Sequence, residues 1–175
     1  MVMRKLKISR TDVELAFELS SYEMTAYLDI ETGAVIFVED SVVDRLEELF
    51  PSEENLENIE AALQVESDLS DIDRQQLMDA ARVEGDADNR YRMIPKQNSR
   101  EGYRDMQEYI GSLEDEHLRE LLETAIQGSG AFRRFKDVLY RYPEAEDKWF
   151  KFRDAREQRR ILDWLAEEDL EPEFE

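Results

Sequence analysis

The residues with most chemistry to offer are Gly128-Ser129-Gly130 and, directly after them, Arg133, Arg134 and Lys136. Glycines ahead of a helix start let a ligand approach backbone N–H groups that have no intrahelical partner, and such groups favour an anion. Two arginines add planar forks of donors that fit phosphate or carboxylate, and a lysine adds a point charge. Arg153, further along, is the remaining basic candidate. The segment is no Walker loop, because its lysine and Ser/Thr are misplaced, and no dinucleotide fingerprint, because no strand precedes it. The competing reading is a glycine that closes one helix while another begins behind it.

Other chemistries lack their residues. The chain has no cysteine, so thiolate ligands, disulfides and a cysteine nucleophile are excluded. His117 is the one histidine, so a multi-histidine metal site is excluded too. It lies in Glu114-Asp115-Glu116-His117, where it reads either as a base beside carboxylates or as an ordinary exposed helix residue. Among 44 acidic residues many carboxylate pairs arise by chance, and none sits in an EF-hand pattern. No catalytic residue, metal or cofactor is assigned.

Charge sharpens the interest in the basic segment. The net charge is −21, which repels nucleic-acid phosphates and anionic membranes in bulk. Yet Arg133 to Arg160 holds ten basic residues against six acidic, a net of +4. Either its arginines pair with the acidic stretches Glu53 to Glu60 and Glu114 to Glu123, or they receive an anion from outside. The expected partner is a protein or an anionic small molecule. The start, Met-Val-Met-Arg-Lys-Leu-Lys, has no apolar run behind it and predicts no signal peptide. No window approaches the length of a membrane span, so a cytoplasmic protein is expected.

The elements that must position these residues make an α+β fold, mostly helical with a small three-stranded antiparallel sheet. Met24–Ile30 and Ala34–Val38 flank Glu31-Thr32-Gly33, a hairpin loop whose glycine can take positive φ. Arg90–Pro95 alternates and reads as the third strand, which a marginal hairpin needs. Helices are predicted over Thr11–Ser21, capped by Thr11 with Leu6 on its apolar face, and over Ser41–Phe50, Ser52–Leu63, Ser70–Val83, Asn98–Ile110, Glu114–Gln127, Ala131–Arg141 and Glu144–Glu168. Phe132, Phe135, Leu139, Trp149, Phe152, Leu162 and Trp164 recur at helical steps and are expected to be buried together. The chain is read as one domain, residues 1–175, with 41–89 an acidic helical elaboration.

The motifs Tyr27-Leu28-Asp29-Ile30-Glu31-Thr32-Gly33 and Gly128-Ser129-Gly130-Ala131-Phe132-Arg133-Arg134-Phe135-Lys136-Asp137 resemble signatures of uncharacterised protein family 0158. Trp149, Phe152-Arg153 and Trp164-Leu165 are similar to its tail, and Ile94-Pro95 and Tyr103-Arg104-Asp105-Met106 fit as well. The resemblance covers about the first forty residues and everything from Arg90 on. It implies an intact fold and carries no activity. The leading expectation is therefore a non-enzymatic binding or interaction module that recognises an anionic group. An enzyme acting on a phosphorylated or nucleotide-like substrate and an acidic nucleic-acid mimic remain open beside it.

Overall fold

The computed structural model describes residues 3–19, 23–52 and 55–175. The chain is α+β, with a three-stranded antiparallel sheet among helices. It forms two compact units, residues 1–96 with 165–175, and residues 97–164.

In the first unit, β2 (Met24–Asp29) is the central strand of the order β3-β2-β4. The hairpin partner β3 (Val35–Glu39) sets Leu28 against Val35, and β4 (Tyr91–Met93) sets Leu28 against Arg92. All three predicted strands are present: β2 ends one residue early, β3 is shifted one residue along the chain, and β4 is trimmed at both ends. The helices α2 (Asp40–Leu49), α3 (Leu56–Val65) and α4 (Asp71–Glu84) build one core with the sheet. Val38 packs there with Leu46, Ile59, Leu63, Leu77, Ala80 and Ala81. The acidic stretch 41–89 thus shares its buried face with the hairpin.

A second sheet escapes sequence reading. β1 (Arg4–Ile8) pairs in parallel with β5 (Leu170–Phe174), near the other end of the chain. Leu6, expected on a helix face, is instead a buried strand residue beside Ile8. The helix that follows, α1 (Arg10–Glu18), is capped by Ser9, whose hydroxyl accepts from the Asp12 N–H at 3.2 Å, and Thr11 lies inside its first turn. Ser20 and Ser21, the expected end of that helix, lie outside the described residues. Likewise α3 begins later than expected. Asn55 caps it rather than Ser52, and Glu53 and Glu54 of the expected helix start lie outside the described residues.

The second unit is helical: α5 (Ser99–Gly111), α6 (Glu116–Ala125), α7 (Ala131–Leu139) and α8 (Pro143–Glu167), of which residues up to 164 belong to it. Asn98 and Glu101 form a reciprocal capping box at the start of α5. The core gathers Met106, Tyr109, Leu118, Leu122, Phe135 and Trp149, and the rings of Phe135 and Trp149 meet edge-on at 4.8 Å. Leu139 joins it, Phe152 is half-buried against it, and Trp164 is buried. Phe132 and Leu162 are not core residues, being 43% and 44% exposed. The inward face of α7 runs 131, 135, 139, and Phe132 stands on its flank in the first turn with its ring at Gly102 of α5, while Leu162 follows buried Ile161 by one step of about 100°.

Candidate functional site

The turn between α6 and α7 is held from within by a single side chain. Arg134 donates from Nε to the Ala125 carbonyl at 2.8 Å, from Nη1 to the Ser129 carbonyl at 2.6 Å, and from Nη2 to the Gln127 carbonyl. Those carbonyls belong to the end of α6 and the loop after it, where a helix leaves acceptors unpaired. Gly128 and Gly130 take φ of 70° and 78°, which lets the chain reverse within three residues. A Cβ on Gly130 would lie 3.0 Å from Nη1 of Arg134, so the glycine also makes room for the guanidinium.

Arg134 is therefore a positioning residue, with three of its five N–H groups fixed inside the protein. Its neighbour is the opposite case. The Arg133 side chain is 88% exposed, and its nearest carboxylate, on Asp137, is 3.9 Å away. Lys136 is exposed one turn further along the same helix. Gly130, the residue before α7, offers no side-chain cap, and the first turn holds no acidic residue. By contrast α3, α4, α5 and α6 each have a side-chain oxygen on their N-terminal N–H groups and an acid in the first turn. The start of α7 thus keeps open N–H groups, a positive dipole end and a free guanidinium together.

Arg153 points elsewhere. Its guanidinium lies 5.5 Å from the Phe150 ring centroid and 3.1 Å from the Asp154 carboxylate. The rest of the basic stretch is largely structural. Asp105, buried in α5, accepts both oxygens' bonds from Arg160 at 2.7 Å and lies 3.5 Å from Nε of Arg156. Arg156 also reaches Glu108. Among the described residues the internal partners of these arginines come from α5, not from Glu114–Glu123 or from the expected stretch Glu53–Glu60, of which Glu53 and Glu54 lie outside the described residues. Asp105 falls in the Tyr103–Met106 stretch of the family resemblance, but its burial is not legible there, since one Asp among 44 acids carries no mark of it. His117 is exposed near the start of α6.

The hairpin motif of the first unit is a fastening of the fold. Asp29, 4% exposed, accepts from the Glu31 N–H at 2.9 Å, the Thr32 hydroxyl at 2.8 Å, and Nε and Nη2 of Arg90 at 2.8 and 2.6 Å. One carboxylate thereby closes the turn and ties it to Arg90, the residue directly before β4. Burial pushes this carboxyl up, but the Arg90 guanidinium and the turn's donors outweigh it and hold the pKa down at about 2. Gly33, at φ 81°, sits against β1, where a Cβ would fall 1.8 Å from the Lys7 carbonyl oxygen.

Among the described residues no group of three or more His, Asp or Glu is placed to hold a metal ion, and no helix is long and apolar enough to cross a membrane. Residues 62–175 match the model of the Uncharacterised protein family (UPF0158). The match begins within α3, takes in all of α4 and the whole 128–137 segment, and does not include the hairpin. UPF0158 protein PA5073 of Pseudomonas aeruginosa is 33% identical over 67 residues, 38% of this chain and 44% of that relative. The chain thus spans less than half the length of this relative. No solved structure matches the chain.

Proposed function

The chain belongs to the uncharacterised family UPF0158, and we propose that it is a cytoplasmic, non-enzymatic binding module whose 128–136 turn recognises an anionic group on a partner or ligand. The observation that carries this reading is the division of labour between two adjacent arginines. Arg134 fixes the turn by holding the carbonyls of Ala125, Gln127 and Ser129. Arg133 stands exposed beside a helix start without a side-chain cap, held only by a 3.9 Å contact with Asp137. A phosphate, sulfate or carboxylate seated there would accept from the N–H groups of the first turn of α7 and from the Arg133 fork, with Lys136 adding charge. Arg153 is not needed for this grip, because Phe150 and Asp154 already engage it.

Thermal unfolding with and without phosphate or sulfate tests the idea. Either anion should raise the Tm of the native chain, and sodium chloride at equal ionic strength should not. Arg133→Ala should abolish that gain and leave the anion-free Tm within about 0.5 kcal/mol of native stability, as for most surface changes. Arg134→Ala should lower the anion-free Tm itself, by about 1–3 kcal/mol of stability, because it strands helix-end carbonyls. Equal stabilisation of native and Arg133→Ala protein by phosphate would refute the site.

A further inference from the structure

The acidity of the chain is concentrated in the first unit, which carries 10 basic residues against 29 acidic, a net of −19, whereas the second carries 13 against 15. Within that acidic unit the helical core is incompletely covered. Val43, Phe50 and Leu56 are only partly buried, and with Leu46, Ile59 and Ala81 they line an apolar groove between α2, α3 and α4. Glu47 and Glu84 stand on its rim, both exposed. At Leu56 and Gly85 the groove runs on into a second, larger cleft, since both residues line the two.

That second cleft is negative in a way its arginines do not cancel. Six carboxylates line it, those of Asp29, Glu31, Glu60, Asp79, Asp86 and Asp88, against the guanidinium groups of Arg82 and Arg90. Both arginines are already engaged: Arg82 with Glu60 at 2.6 Å, and Arg90 with Asp29 at 2.6 Å and Glu31 at 2.7 Å. Burial pushes the Asp79 carboxyl upward despite a hydrogen bond from Gln75 and the nearby Arg82, so an incoming cation would relieve a partly dehydrated charge.

We infer that this continuous surface receives a basic amphipathic segment of a partner protein. An apolar side chain seats between Leu46, Phe50, Leu56 and Ile59, and a neighbouring Lys or Arg reaches the carboxylates beyond Gly85. The apolar groove calls for a hydrophobic anchor, which a simple cation or polyamine lacks. The charge of the unit repels an acidic helix and a nucleic-acid strand alike. This surface lies wholly in the first unit and is independent of the 128–136 turn.

The isotope-labelled 175-residue chain, titrated with three synthetic helical peptides of about 15 residues, decides the matter by amide chemical shifts. One peptide presents Leu on one face and Lys on the other, a second replaces Leu by Ala, and a third replaces Lys by Glu. The Leu/Lys peptide should shift the amides of Val43, Phe50, Leu56, Ile59 and Asp86 to Asp88, and bind at least about tenfold tighter than the Ala/Lys peptide. The Leu/Glu peptide should leave these amides unmoved. Glu47→Lys with Glu84→Lys, both exposed, should weaken Leu/Lys binding about tenfold. Asp88→Lys serves the same purpose if the double variant unfolds. Equal binding of the Leu/Lys and Ala/Lys peptides, or shifts scattered outside the groove, would overturn the inference and leave only bulk charge attraction.

Discussion

Asp29 illustrates how much of the fold one side chain fixes. Its folded pKa of about 2 lies below the ordinary value of 3.8, so the carboxylate form binds its partners in the native state. A lowered carboxyl pKa contributes stability that is fully present above the unfolded value and lost as pH falls through the folded one. Here that window runs from about pH 4 down to about pH 2, and the shift corresponds to roughly 2 kcal/mol. Denaturant unfolding of native and Asp29→Asn protein should therefore differ by roughly that amount at pH 7, and the gap should close as pH approaches 2. A constant gap over this range would show that the carboxylate charge is not what Arg90 and the turn require. Gly33 makes a second residue-scale case. Gly33→Ala forces a Cβ onto the Lys7 carbonyl at positive φ, and we expect a loss of more than about 1 kcal/mol, read from the urea midpoint. Arg74 and Arg134 solve one problem in both units, since each caps the carbonyls of the preceding helix end. Arg74 donates to the Leu63, Glu66 and Leu69 carbonyls after α3, as Arg134 does after α6.

At the scale of elements, α7 explains why a nine-residue segment can serve packing and binding together. Ala131, Phe135 and Leu139 form its buried edge, which leaves Phe132, Arg133 and Lys136 outward. The ring of Phe132 rests against Gly102 of α5, where a Cβ would come within 3.1 Å of it. The buried edge predicts a clear outcome for the element behind it. Trp149→Ala on α8 removes a ring that meets Phe135 and Tyr109 edge-on and stacks on Phe152. Its cost should be about 3–5 kcal/mol, a large part of the stability of an ordinary domain. Phe132→Ala, at a half-exposed position, should cost well under half of that by the same chemical denaturation. Comparable losses for the two would mean that the inward face of α7 has been misassigned.

For the whole molecule, the separation of charge between units gives the two halves different prospects: one strongly anionic, the other near neutral with free cations at a helix start. Local signals in the sequence were enough for most elements. Turn chemistry and alternation located the hairpin and the third strand, helical periodicity located the helices, and composition excluded cysteine and polyhistidine chemistry, because each depends only on neighbours within a few residues. The glycines and basic residues of 128–136 were legible as a cluster for the same reason. Their roles were not, since Arg133 and Arg134 are chemically identical in sequence, and only the position of the α6 carbonyls makes one a clasp and the other a free donor. Asp29 was likewise legible as part of a turn, but its pairing with Arg90 spans 61 residues of chain. The β1–β5 pair, which joins Arg4 to Leu170, and the burial of Asp105 between two arginines of α8 are further cases. Tertiary structure alone decided these, because the energy of a buried charge or a parallel strand pair depends on a partner that chain entropy keeps remote until the fold has formed.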